Sequence, residues 1–220
     1  MSCEANTVGA SEIKSFGKFE KELKTVSKED VKIERKWAMP SKDTFKIQVI
    51  RNFIYDGLTE NGKINKNLVI IDPFAGEYSI AYGFENGETN DLNPKIKADW
   101  NMDAYEFLIN QKNKIADVVL FDPPYSPRQI KEQYESVGLD TQSGKLTKAT
   151  FYSNLKDEIA RITKPGGKVF CCGWNSGGIG KSRGFELQKI LIVAHGGWHN
   201  DTIVTYEKKA EKEAKKKWRE

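Results

Sequence analysis

The chain has little cysteine or histidine: three and two residues respectively in a length of 220. The cysteines are Cys3 and the adjacent pair Cys171-Cys172. Neighbouring strand residues point to opposite faces, so that pair is not expected to bond to itself. There is no Cys-x-x-Cys and no Cys/His cluster, which excludes the common zinc-site spacings, and no metal is expected. Three unbonded thiols fit a reducing, cytoplasmic setting. Long hydrophobic runs are also missing. The segment Met1 to Ala10 is polar and lacks the apolar core of a secretory leader. Near the end, the longest apolar run, Ile190 to Ala194, is far too short to cross a bilayer. No internal repeat is visible. Neither sign of charge dominates, with a net charge of +4 and a pI of about 8.7. Such mild basicity is compatible with a nucleic-acid partner without requiring one.

What is present is an ordinary globular composition, 38% apolar and 30% charged, in a length suited to one domain. Residues 1–36 are Lys/Glu-mixed and weakly periodic and predict a mobile extension. Residues 37–207 predict the folded domain, and 208–220 a basic tail. Asp43-Thr44 can cap a helix through Phe45, Ile47, Ile50 and Phe53 to Tyr55, ended by Gly57. Leu68-Val69-Ile70-Ile71 reads as a strand buried on both faces. A short helix over 78–84 follows, then short strands over 88–92 and 97–99. Asp103 to Gln111 is an amphipathic helix, and Ala116 to Phe121 a further buried strand. Residues 126–148 read as polar and irregular. Phe151 to Ile162 is a helix stopped by Lys164-Pro165-Gly166-Gly167, and 168–174 is a strand. A glycine-rich loop, 175–184, precedes two strands, 186–194 and 202–207. The short turn between these predicts an antiparallel hairpin. Strand and helix thus alternate up to the final hairpin, the pattern of a parallel α/β sheet.

One sequence feature outweighs the others. Strand 116–121 ends in Asp122-Pro123-Pro124-Tyr125, at the strand end where open parallel sheets bind ligands. A carboxylate, two prolines stiffening the backbone and an aromatic ring make a pocket for a flat molecule with an exocyclic NH2. The carboxylate and the Pro123 carbonyl can accept its two hydrogens, and the Tyr125 ring can stack on its face. The loop after strand 68–71, Asp72-Pro73-Phe74-Ala75-Gly76-Glu77, carries a glycine that lets backbone approach a ligand. About twenty residues on, Asn90-Asp91-Leu92 places an acid where it can accept from both hydroxyls of a diol. Asn101-Met102-Asp103-Ala104 opens a helix, with Asp103 also a fit N-cap.

Taken in order, these features resemble the DPPY family of amino-methylating DNA methyltransferases, S-adenosylmethionine enzymes that modify adenine N6 or cytosine N4. The resemblance spans Asp72 to Tyr125 and weakens on both sides. It implies a Rossmann-like seven-stranded sheet, mostly parallel with a C-terminal antiparallel hairpin. It implies S-adenosylmethionine as cofactor, with Phe74, Ala75 and Gly76 around its methionine part and Asp72 supporting that loop or the amino group. Asp91 is then the ribose ligand, and Asp103-Ala104 receive the adenine, with Asp99 as the rival to Asp103. Thr44 and Phe45 would lie near the carboxylate or sulfonium. Asp122, Pro123, Pro124 and Tyr125 form the catalytic pocket. The chain departs from the family at Tyr78, where a second glycine is usual.

The partner implied is DNA, with adenine N6 as acceptor in a bacterial or phage setting such as restriction-modification. A large recognition domain has no room here. The contacts expected are Arg128 and Lys131 in one loop and Lys181 and Arg183 in the other, both flanking the pocket mouth, with a homodimer as a further option. Alternatives at this stage are an N4-cytosine enzyme, an RNA or protein-amide methyltransferase, and an inactive fold kept for DNA binding.

Overall fold

The structure, a computed structural model, describes residues 31–139 and 149–211. Its nine strands are β1 (Lys32–Trp37), β2 (Thr59–Glu60), β3 (Lys63–Ile64), β4 (Val69–Asp72), β5 (Asn86–Thr89), β6 (Ala116–Phe121), β7 (Thr163–Gly173), β8 (Phe185–Ala194) and β9 (Thr202–Lys209). Four α-helices are described: α1 (Gln48–Leu58), α2 (Ala104–Asn110), α3 (Pro127–Ser136) and α4 (Ala149–Ile162).

Seven strands form one sheet in the order β1-β8-β9-β7-β6-β4-β5. All pairs are parallel except those of β9, which runs antiparallel between β7 and β8. The expected mostly parallel, seven-stranded sheet with a terminal antiparallel hairpin is therefore present. Its buried strands are continuous apolar runs because both faces are covered. Alternate residues serve the two faces. Ile70, Val118, Leu120, Phe170 and Cys172 pack with α1 and the 3-10 turn Ile80–Gly83 on one side. On the other, Ile71, Val119, Phe121 and Val169 pack with α2, α3 and α4. The neighbouring cysteines do face opposite ways: Cys172 belongs to the first core and Cys171 packs against the second. Burial pushes the Cys171 thiol up to about 12 and that of Cys172 well above its ordinary value, so both stay protonated.

The seventh strand is not the one expected. Residues 97–99 form no strand; only an isolated bridge joins Asn90 to Trp100. The place is filled at the other edge by β1, which pairs with β8 from Lys32↔Lys189 to Trp37↔Ala194. Residues 32–36 thus belong to the sheet and not to a mobile extension. Their pattern is exposed on both faces, as suits a charged edge strand, and so shows no alternation to read. Lys208 and Lys209 likewise close β9 rather than open the basic tail; the rest of that tail, from 212, lies outside the described residues.

Two further elements differ from expectation. The first helix begins as a 3-10 turn, Thr44–Lys46, and continues through Gly57 to Leu58. There Asn61-Gly62, with φ of +50° and +74°, turns β2 back on β3. The segment read as irregular contains α3. Ser126 caps it by accepting from the Gln129 N–H, and Pro127 occupies its first turn.

Candidate active site

The parallel strands β1, β4, β5, β6, β7 and β8 end on one edge of the sheet. From β4 the chain moves outward to β5, and from β6 it moves the other way to β7. The loops after β4 and β6 therefore flank the point where strand order reverses, the usual ligand crevice of such sheets. Two adjoining cavities lie there. The first, about 250 Å³, is walled by the loop after β4, by Asp91, Leu92 and Ile96, and by the strap Lys42–Phe45. The second, about 410 Å³, is walled by Asp122–Tyr125, by Gln129 and Gln133 of α3, and by Thr202. Lys42, Thr44, Asp122, Gln133 and Ser136 border both.

The first cavity is built on hydrogen bonds from the loop backbone. Gly76, at φ +54°, donates its N–H to Asp91 Oδ2 at 2.9 Å, and Asn93 N–H donates to Oδ1 at 2.8 Å. A positive φ is where only glycine is unstrained. Tyr78 sits outside that region, since the only non-glycine residues of positive φ among those described are Asn61 and Lys114. The missing second glycine costs the loop nothing conformationally. The Tyr78 ring lines the cavity, with Lys46 Nζ 5.1 Å from its centre.

Asp72 does not reach this space. It is fully buried under the loop, accepting from the Phe74 N–H at 3.0 Å and from Ser79 Oγ at 2.6 Å. Burial raises its carboxyl to about 7. Of the two roles expected of it, loop support is the one the geometry allows. Asn90 ties the same loop to the next one, donating to the Pro73 and Met102 carbonyls.

Asp103 and Ala104 are not brought to the cavity. Asp103 Oδ1 caps α2 by accepting from Tyr105 and Glu106, and Oδ2 accepts from the Tyr134 hydroxyl. Ala104 is buried in the core. Asp99 is equally committed, accepting from both the N–H and the hydroxyl of Thr89. Neither acid lines the first cavity. The cavity wall there is Leu92 and Ile96, which suit a flat apolar face.

Asp122 joins the two cavities. Burial raises its carboxyl to about 6, against the opposing pull of the Tyr125 hydroxyl, which donates to Oδ1 at 2.5 Å. The Tyr125 hydroxyl also lies 3.3 Å from Thr44 Oγ1, so the strap, the ring and the acid form one network. Burial together with that carboxylate raises the tyrosine's own pKa far above normal, so it donates and does not ionise. The prolines are held in place from behind, where Tyr152 donates to the Pro124 carbonyl at 2.6 Å. Gln129 Oε1 accepts the Tyr125 N–H at 2.6 Å.

The strap is anchored by His195, which is buried between two of its neighbours. The Ala38 carbonyl, 2.9 Å from Nδ1, can only accept, so Nδ1 carries the proton. Nε2 then accepts from Thr202 Oγ1 at 2.9 Å, and Thr202 lines the second cavity.

Sequence reading missed Gln129, Gln133 and Thr202. The two glutamines were hidden because α3 was read as loop. Its signals were a Ser-Pro start and the Ile130–Tyr134 spacing, both visible in the chain. Thr202 has no local signal; only the fold brings it to Asp122.

The expected nucleic-acid contacts divide. Arg128 and Lys131 stand exposed on α3, each beside an acid one turn on, Glu132 and Glu135. Lys181 and Arg183 do not flank the pocket. They form a turn just before Phe185, which pairs with Lys209 at the far edge of the sheet. There the Arg183 guanidinium bonds Asp157 at 2.6 Å and Ser153 Oγ at 2.9 Å, clamping α4.

No protein-family model matches the chain, and no curated protein does. Solved structures do. A Listeria monocytogenes protein assigned to the class I S-adenosylmethionine-dependent methyltransferases is 15% identical, with a TM-score of 0.50 over 93% of this chain and 70% of that one. The fold is that of the class I methyltransferases. The Burkholderia thailandensis 1,6-didemethyltoxoflavin-N1-methyltransferase, solved with its substrate and S-adenosylhomocysteine, is 12% identical, with a TM-score of 0.49 over 94% and 93% of the two chains. A Pyrococcus horikoshii protein assigned as a transferase is 13% identical, with a TM-score of 0.42 over 66% of this chain. This chain spans only 58% of that protein's length.

Proposed function

We propose that the protein is an S-adenosylmethionine-dependent methyltransferase acting on the N6 amino group of adenine in DNA. The observation that carries this reading is the position of Asp122, half-buried and shared by two cavities. One has the loop and diol acid suited to the cofactor, and the other has the Asp-Pro-Pro-Tyr wall suited to a base.

The residues of the first cavity fit the cofactor. Asp91 has two oxygens and about four lone-pair sites; two are taken by Gly76 and Asn93, which leaves acceptors for a ribose diol. Leu92 and Ile96 offer an apolar wall for the adenine ring, and Lys42 and Thr44 offer donors for a carboxylate. When bound, the cofactor supplies a methyl group already activated by its sulfonium, so no metal or covalent enzyme intermediate is required.

The work left to the protein is at the acceptor. An adenine amine is a poor nucleophile because its lone pair is delocalised into the ring. The Asp122 carboxylate and the Pro123 carbonyl accept its hydrogens and favour a more tetrahedral nitrogen. Tyr125 holds the base plane. Thr44 and Lys42, bordering both spaces, fix the distance between acceptor and donor, so in-line placement supplies much of the rate. With its carboxyl raised to about 6, Asp122 is ionised at neutral pH and is a better proton acceptor than an ordinary carboxylate.

The test is to incubate unmethylated DNA with protein and cofactor, digest it to nucleosides, and identify the modified one by mass spectrometry. N6-methyladenine, absent with Asp122→Ala, is the expected product. N4-methylcytosine would keep the enzyme class and change the base. A wild-type protein that shows no cofactor binding by calorimetry would remove the reading altogether.

A further inference from the structure

Every tryptophan among the described residues is exposed: Trp37 at 62%, Trp100 at 48%, Trp174 at 42% and Trp198 at 103%. Tryptophan is highly buried on average, so four open indoles in one domain call for a reason. Three of them share the edge that holds the pocket. Trp37 ends β1, Trp198 sits in the turn between β8 and β9, and Trp174 follows β7. Tyr125 follows β6. Because the sheet order is β1-β8-β9-β7-β6, these four rings fall in sequence along the strand ends. At about 4.8 Å between strands, the row runs roughly 20 Å.

Proximity is seen at the two ends of the row. Trp174 meets Tyr125 edge-on, with ring centres 5.7 Å apart. At the other end, a Cβ on Gly196 would lie 3.6 Å from Trp37 Nε1, which puts the turn bearing Trp198 beside the end of β1. Trp198 is fully exposed just after Gly196 and Gly197, and neither it nor Trp37 has a ring partner among the described residues, so these indoles stand as single flat faces. A protein interface presents a merged apolar patch instead. Exposed cations border the β1 end. Arg35, Lys36 and Lys42 make no ion pair among the described residues.

We infer that this aromatic row is a stacking platform for single-stranded DNA, holding the bases beside the target so that the acceptor pocket is filled from an unpaired strand. The inference rests on the proposed reading of the pocket and goes beyond it by choosing the form of the substrate. Any base can stack on an aromatic face, so such contacts grip a strand without reading its sequence. A duplex would offer this edge its phosphates and leave the indoles without partners.

The experiment measures binding of a fluorescein-labelled oligonucleotide by anisotropy, single-stranded and annealed to its complement, using the full chain without cofactor. The single strand is expected to bind at least about tenfold tighter than the duplex. Trp198→Ala and Trp37→Ala are each expected to weaken single-strand binding by about tenfold, and Trp198→Phe to restore it. Both positions are exposed, and melting temperatures check that each variant folds. Equal affinity for duplex would overturn the inference, as would Ala variants within about twofold of wild type. Tighter binding of RNA of the same sequence would also overturn it, as would variants that alter only self-association in sedimentation. Cofactor calorimetry on the same samples reads the methyltransferase proposal separately, since strand binding is measured without the cofactor.

Discussion

In the proposed reaction Asp122 accepts the hydrogens of an amine best when ionised, yet it sits in a half-buried place that resists charge. The Tyr125 hydroxyl is what moderates that conflict, because its hydrogen bond favours the ionised form. Methyl transfer should therefore fall as pH drops through about 6. Tyr125→Phe keeps the ring and removes the bond, so Asp122 should hold its proton to higher pH. The variant is expected to be nearly normal at pH well above neutrality and impaired near pH 6, with the acid limb of its pH–rate profile displaced upward. Asp122→Ala should abolish turnover at every pH while leaving cofactor affinity intact; pH–rate profiles and calorimetry on the two variants test both statements. At Asp91 the expectation is reversed. Asp91→Ala removes the proposed diol acceptor and releases the Gly76 and Asn93 N–H groups. Cofactor binding should weaken by about 1–3 kcal/mol, read by calorimetry, with single-strand DNA binding unchanged.

Among elements, the long connection from β7 to β8 is pinned at one carboxylate. Glu207, in β9, is buried and accepts from the Ile179 N–H at 2.5 Å and the Gly180 N–H at 3.0 Å. Burial raises its carboxyl despite those bonds. Glu207→Ala leaves two backbone donors without an acceptor and opens space under the loop. It should lower the unfolding free energy by about 2–4 kcal/mol in urea denaturation, while Glu207→Asp should lose less. The same connection shows why a glycine-rich, basic stretch reads from sequence as a loop at the pocket mouth. Composition gives no hint that a strand twenty-odd residues later supplies the acid that fastens it. In α3 the reverse holds: the cap and the apolar spacing are legible, but seven of its ten residues are polar or charged, so its burial of Ile130 and Tyr134 is easy to overlook.

For the whole molecule, the buried acid beneath the β4 loop sets a pH dependence of folding. Asp72 rises from its ordinary 3.8 to about 7 in the folded state. Between those values the folded chain holds a proton that the unfolded chain has lost, so stability falls as pH rises through that window and levels off above it. Asp72→Asn removes the titrating group. Its urea-derived stability should be flatter from pH 4 to pH 7 than that of the wild type; an unchanged slope would place the effect elsewhere. The edge strand has an equally global role. β1 covers β8, and Ala38 just beyond it bonds both Ala194 and His195, so the sheet edge and the strap over the pocket are one piece of chain.

What the sequence determined by itself were the features held within a few residues of one another. The continuous apolar runs of β4 and β6, the alternation with helices, and the final hairpin all follow from local pattern and turn chemistry. So does the placing of Asp72–Gly76, Asp91 and Asp122–Tyr125 at strand ends, since each lies at or within two residues of the end of its strand. The tertiary structure decided which of these acids face a cavity, because that depends on partners distant in the chain. Asp72 is claimed by Ser79, Asp103 by its own helix and Tyr134, and Asp99 by Thr89, while Asp91 and Asp122 keep an open side. It also decided that a polar edge strand, rather than residues 97–99, completes the sheet, since edge pairing needs only backbone groups and leaves no side-chain pattern to read.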